Sequence, residues 1–406
     1  MSEAPRHAGA AGAVRARAEE VFAACARGEL AHFRLDEEHF DDVAERVVRA
    51  MRADHPDLRA IPYHSRWRHF GAGGIDRAAA LESLLRPLGD DERLAAQVDL
   101  VVTSVLLDAG AGDRWAYRDA GGGTFSRSEG LAVASYDLFV AGAFASDPAR
   151  APLHADALAL ARIDPRRLAR GMQASASNPL VGLDGRAALL RRLGEVAGAT
   201  PALFGHPQDP SAPPRLGHLG LRLRASARDG RLAAGSILAM VLEALGPAWP
   251  RRGASAAAPV GDIWTHSRFG PVPFHKLSQW LSYSLVEPLE WSGIRVVDLD
   301  DLTGLAEYRN GGLFVDGGVL ELVDPAARGL EHDVGSDLVI EWRALTVALL
   351  DRIAGRVRRQ VGLSPAELPL VRVLEGGTWR AGRAIAAELR QNGAPPLRVR
   401  SDGTVF

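Results

Sequence analysis

Residues 336–360, SDLVIEWRALTVALLDRIAGRVRRQ, repeat apolar side chains at three- and four-residue spacing with no proline to interrupt them. That period makes one buried stripe on a helix and has no counterpart in a strand, where side chains alternate every two residues. A helix of about seven turns buries such a stripe only against other helices. The same spacing recurs at 11–26, 40–53, 91–108, 155–171, 184–198 and 231–245, and in a helix opened by Lys276 and stopped by Pro288. The fold class is therefore mainly α, a large helical body with a few short strands or hairpins. Asp316-Gly317-Gly318 and Ser401-Asp402-Gly403-Thr404 have hairpin chemistry. Gly71 to Gly74 lead to a helix capped near Asp76, Ser126 and Glu129 have capping-box spacing, and Gly376-Gly377 open a last helix.

The stretch 200–230 is rich in Pro, Gly and Arg and reads as a linker or flap. It separates an N-terminal helical domain, 1–199, from a C-terminal one, 231–406, with the active site expected between them; 246–262 reads as loop. A net charge of −2 gives no basic field, so no nucleic-acid partner is expected. Cys25 is the single cysteine, which excludes an intramolecular disulfide framework and a Cys-rich zinc site and favours a reducing compartment. No apolar run has the length of a membrane span or signal peptide, so a cytoplasmic protein with no membrane partner is expected. The histidines lack metal-ligand spacing, and neither a metal nor a cofactor is expected.

Of 48 Lys and Arg residues only Lys276 is a lysine. A primary amine kept at one position points to chemistry, because its pKa moves on burial whereas a guanidinium stays charged. Lys276 is read as a phosphate ligand, an anion stabiliser or a general acid, and on the plainer view as a surface charge. Asp298, Asp300 and Asp301 follow, then Glu307-Tyr308-Arg309, a carboxylate and a phenol with a guanidinium able to grip Glu307. Glu307 is the carboxylate chosen for catalysis, its bland alternative being a structural ion pair. The aspartates are more simply a helix entry.

Upstream, His64-Ser65-Arg66-Trp67-Arg68-His69-Phe70 alternates cations and rings. If extended, Arg66 and Arg68 face one way and Trp67 and His69 the other, an anion grip with an aromatic wall, or else a buried aromatic anchor. Asp108 and Trp115 flank a glycine-containing loop, and His275, Gln279 and Trp280 accompany Lys276. Glu341 and Arg343 form a charged pair on the long helix, for which a satisfied buried ion pair is the simpler reading.

With these residues in hand, the chain resembles the uracil catabolism protein four family over nearly its whole length. The matching stretches are IPYHSRWRHFGAGG, LLDAGAGDRWAYRD, TFSRSEGLAVASYD, PFHKLSQWLSYSLVEPLEW, LTGLAEYRNGGLF and EGGTWRAGR. The resemblance implies a uracil-degrading route in which ring opening leaves a ribosylurea-type compound. More distantly, FHKLSQ, Glu307-Tyr308-Arg309 and Glu341-Trp342-Arg343 resemble, in the same order, motifs of the queuosine-salvage N-glycosylases, which are helical and DNA-glycosylase-like. That likeness implies Lys276 and Glu307 as the central pair, with Glu307 one methylene longer than the family's aspartate. Tyr308, Asp298, Asp300 or a histidine is then the proton donor, His64, Arg66, Arg68 and Lys276 the phosphate ligands, and Trp67, Trp115 and Trp280 the walls.

The reaction so implied is hydrolysis of N-ribosylurea, expected as its 5′-phosphate, to urea and ribose 5-phosphate by a carboxylate beside the anomeric carbon. The partner is then a small-molecule substrate, with the oligomeric state open. The alternatives are a non-catalytic scaffold of the same pathway and, last, a nucleotide or nucleic-acid N-glycosylase.

Overall fold

The structure, a computed structural model, describes residues 9–249 and 261–400. It is mainly α, with short two-stranded ladders between helices. Three helices form its centre: Asp90–Leu106, Lys276–Trp291 and Asp337–Val361, each buried along most of its length. Lys276–Trp291 packs on Asp90–Leu106 and on Ala234–Leu245, while Asp337–Val361 packs on Ala10–Ala26 and Phe40–Asp54. The long apolar stripe of 336–360 is thus covered by the first helices of the described chain.

Pro288 does not stop its helix, which runs on to Trp291. The proline removes one N–H and frees the Ser284 carbonyl four residues back, and the Trp67 indole N–H donates to that carbonyl at 3.0 Å. Asp316-Gly317-Gly318 ends the Tyr308–Asp316 helix rather than turning a hairpin; the strand that follows, Leu320–Leu322, pairs antiparallel with Phe33–Leu35. Residues 155–171 divide into Ala157–Ala161 and Pro165–Gly171, with Asp164 capping the second helix. Asp76 caps Arg77–Leu85 as expected, by accepting from the Ala79 N–H. Ser126 begins a helix but forms no side-chain cap, and Glu129 instead pairs with Arg383.

Within 200–230 lie the helices Pro201–Phe204 and His218–Ser226, and Arg215 is buried against Asp99 and Glu92. Most of the expected 246–262 loop and the expected 401–404 hairpin lie outside the described residues. Among the described residues no helix is long and apolar enough to cross a membrane.

Two close approaches bring the helix carrying Arg309 into place. A Cβ on Gly311 would lie 2.7 Å from Thr346 Oγ1 and 2.8 Å from the Trp342 ring, so only glycine lets Tyr308–Asp316 settle on the long helix. A Cβ on Gly382 would lie 2.2 Å from the Arg309 carbonyl, which fixes the approach of Trp379–Leu389. Ahead of that last helix, Leu374–Thr378 winds as a π-helix containing Gly376-Gly377, so the glycines lie inside a helical run rather than opening one.

Candidate active site

A cleft of about 690 Å³ is lined by His64, His69, Asp108, Lys276, Trp280, Glu307, Tyr308, Arg309 and Trp379, with Ser126–Glu129, Arg383 and the 390–393 turn on its rim. A recess of about 260 Å³ continues from it past Asp108, Arg127, Lys276 and Glu307. Residues more than two hundred positions apart therefore share one cleft.

Glu307 is the N-cap of Tyr308–Asp316. Its carboxylate accepts the Arg309 N–H at 2.7 Å and the Asn310 N–H at 2.6 Å, which fixes its rotamer at the positive end of the helix. Burial pushes its pKa up from the ordinary 4.5, while the two N–H groups and the nearby Lys276 ammonium pull the other way. Arg309 thus holds Glu307 through its backbone and not through the expected guanidinium grip. Its guanidinium donates instead to the Gly393 carbonyl at 2.7 Å and lies 4.9 Å from the Tyr308 ring centre. Burial also raises the Tyr308 phenol, which stays protonated at neutral pH.

Lys276 begins its helix directly after His275, which holds φ +49°, a left-handed value uncommon for a non-glycine residue. The Lys276 N–H donates to Asp262 Oδ2 at 2.9 Å, and Arg343 grips both oxygens of Asp262 at 2.8 Å each. Arg343 also donates to the Ala306 carbonyl, next to Glu307, at 3.3 Å. One buried guanidinium therefore ties the start of the lysine helix to the residue before the carboxylate. Burial raises the Asp262 pKa, but the Arg343 pair outweighs it and holds the group at about 2. Gln279 exchanges hydrogen bonds with Thr303, and the Tyr283 hydroxyl donates to the Thr303 carbonyl at 3.0 Å. The face shared with Lys276 is a clamp on the irregular segment leading to Glu307.

The 64–70 stretch is not extended: Arg66–Phe70 is a short helix. Arg66 and His69, three apart, fall on one face, and Arg66 donates to His69 Nδ1 at 3.3 Å, which leaves the proton on Nε2. Burial first, and Arg66 second, keep His69 neutral by lowering its pKa well below 6.5. Arg66 is 0% exposed and sits 3.3 Å from Asp108 Oδ1, an oxygen that receives charge from it but no hydrogen bond. Arg68 pairs with Glu287, and Trp67 packs edge-on against Phe70 and Trp291; neither lines the cleft. His64 donates Nδ1–H to Glu375 Oε2 at 2.7 Å, leaving Nε2 for a ligand.

Other expected residues lie elsewhere. Trp115 is fully buried with its indole N–H on the Met172 carbonyl. Asp298 is exposed, and Asp300 pairs with Arg358 at 2.6 Å and accepts the Leu370 N–H. Glu341 lies between the His32 N–H at 3.2 Å and His266 at 3.4 Å, with burial raising its pKa to about 7. His275 does not line the cleft. Trp379, Arg383, Arg127 and Ser128 also line the cleft and Glu375 holds His64; no local pattern marks them as site residues, and their signal in the sequence is that EGGTWRAGR and TFSRSEG are among the stretches that carry the resemblance.

The fold and cleft define a helical protein in which a half-buried carboxylate, Glu307, and the Lys276 ammonium line one pocket with Trp280 and Trp379. Residues 9–406 match the family model described as "Protein of unknown function (DUF1688)". The chain is 38% identical over 400 residues to "Protein urg3" of Schizosaccharomyces pombe, covering 97% of this chain and 96% of that protein. It is 34% identical over 414 residues to "Uracil catabolism protein 4" of Lachancea kluyveri, with 93% of each covered. The chain belongs to this family, the uracil catabolism protein 4 family.

Proposed function

We propose that this protein acts in uracil catabolism and hydrolyses the N-glycosidic bond of N-ribosylurea or its 5′-phosphate, releasing urea. The name of the Lachancea relative, a uracil catabolism protein, supports the pathway. The observation that carries the reaction is Glu307, locked by two N–H groups at a helix start and raised by burial in a cleft shared with Lys276.

Cleavage develops positive charge on the ribose ring, and a carboxylate beside the anomeric carbon stabilises that charge while taking a proton from the attacking water. A carboxylate with a raised pKa is the stronger base, provided it is ionised. Trp280 and Trp379 wall the cleft in which that charge develops. Water supplies the oxygen bonded to C1′, the C1′–N bond breaks, and the departing urea nitrogen takes up a proton. Lys276 and the Glu375-oriented His64 are the cleft groups suited to deliver it, and the neutral Tyr308 and His69 donate hydrogen bonds to the urea oxygen. Asp262 and Arg343 act as positioning residues for this pair.

The test is to incubate purified protein with N-ribosylurea and with its 5′-phosphate and to assay urea and reducing sugar. Equimolar release of both is expected from at least one compound. Release from neither, by a folded protein, overturns the reading.

A further inference from the structure

Two arginines on separate elements converge on one turn. Arg309 donates to the Gly393 carbonyl at 2.7 Å, and Arg127, at the start of Arg127–Val140, donates to the neighbouring Asn392 carbonyl at 3.4 Å. Consecutive carbonyls thereby hold two guanidinium groups side by side on the wall that also carries Lys276. The other two arginines of the cleft are neutralised: Arg383 pairs with Glu129 and Arg390 with Asp316. Among the described residues, neither Arg127 nor Arg309 has a carboxylate within ion-pair distance, although Asp108, Asp113, Glu129 and Glu307 line the same cleft.

Arg309 is only 5% exposed. A guanidinium buried to that degree normally brings its own counter-ion, because an unpaired charge out of water costs stability. Its remaining N–H groups have no acceptor among the described residues, yet they are not sealed off, so they open to the cleft. Arg127 sits at φ +54°, a left-handed backbone that is strained for a non-glycine residue and persists where the surroundings impose it. The resulting pair offers planar donors that no carboxylate of the cleft grips, and such donors take a phosphate bidentately.

We propose that Arg127 and Arg309 form the subsite for a sugar phosphomonoester, so that the glycosidase handles ribosylurea 5′-phosphate in preference to the free riboside. This rests on the N-ribosylurea reading above, and it replaces the expected grip of Arg66 and Arg68, whose charges are consumed by Asp108 and Glu287.

The test has a binding arm and a kinetic arm. Calorimetric titration of the wild-type chain with ribose 5-phosphate, ribose and inorganic phosphate is expected to give a sugar-phosphate site, with ribose and inorganic phosphate each at least about tenfold weaker. Arg127→Ala, at an exposed position, and Arg309→Lys, which keeps the charge but not the fork, should each weaken ribose 5-phosphate by about tenfold or more. The ratio of kcat/KM for phosphorylated over free ribosylurea should collapse in the same variants. Should Arg309→Lys fail to fold, Arg127→Ala decides alone.

Ribose 5-phosphate affinity unchanged in folded Arg127→Ala overturns the subsite, as does inorganic phosphate binding as tightly as the sugar phosphate. Weakened ribose 5-phosphate binding with no urea from either compound supports the subsite and overturns the glycosidase reading. Urea release without any preference for phosphate overturns the subsite alone.

Discussion

Residues 64–70 and residues 303–310 are equally rich in chemistry, and the fold uses them in opposite ways. The first stretch spends its cations on structure: Arg66 is enclosed with Asp108 and Ser104, Arg68 meets Glu287, and Trp67 closes the backbone gap left by Pro288. Only its two histidines reach the cleft. The second stretch is held by others, through Gln279 and Tyr283 on Thr303 and Arg343 on Ala306, and so presents Glu307, Tyr308 and Arg309 to the cavity. A charged side chain acts on a ligand where its neighbours do the structural work for it. It becomes structure where it has to satisfy a buried partner itself.

That contrast can be broken by exchange of effects. Arg66→Met leaves Asp108 buried without its ion-pair partner and is expected to cost about 3–5 kcal/mol in denaturant unfolding; a loss under 1 kcal/mol would place Arg66 with the functional group instead. Lys276→Met should behave in reverse, with stability within about 0.5 kcal/mol of wild type and kcat/KM for urea release down about a hundredfold. Its pH profile sharpens the point. Glu307 has to be ionised to act as base, so activity falls as pH drops through its raised pKa, above the ordinary 4.5. Loss of the Lys276 charge raises that pKa further, so the acid limb of Lys276→Met moves to higher pH. The smallest effect is expected at Asp298, exposed and remote from the cleft: Asp298→Asn should leave stability within about 0.5 kcal/mol and urea release unchanged in a steady-state assay.

The helical body was legible because periodicity over long segments survives any tertiary context, as 336–360 and Asp337–Val361 illustrate. Lys276 and Glu307 were legible for a different reason, the rarity of lysine in an arginine-rich chain and the local EYR pattern. Pro288 misled because the rule that proline ends a helix assumes no outside donor for the orphaned carbonyl, and Trp67 comes from 217 residues away to supply one. The arginines of the 64–70 stretch misled because the facing of a side chain depends on the period assumed, and five residues are too few to choose between extended and helical spacing. Glu375, which holds His64, and Trp379, which lines the cleft, are placed by a π-helical turn where a Cβ on Gly376 or Gly377 would lie 2.8 Å from Ile61 or 2.6 Å from Val47. No local pattern announces such an approach.

The most direct test is the rate of urea release by Glu307→Gln, measured alongside its unfolding curve and its affinity for ribose 5-phosphate. Glutamine keeps one oxygen, which serves one of the two capping N–H groups, but carries no charge and takes no proton. A fall of about a thousandfold or more in kcat, with the fold intact and ribose 5-phosphate still bound, is the predicted result. Turnover within tenfold of wild type would contradict the assignment of Glu307 as the catalytic carboxylate.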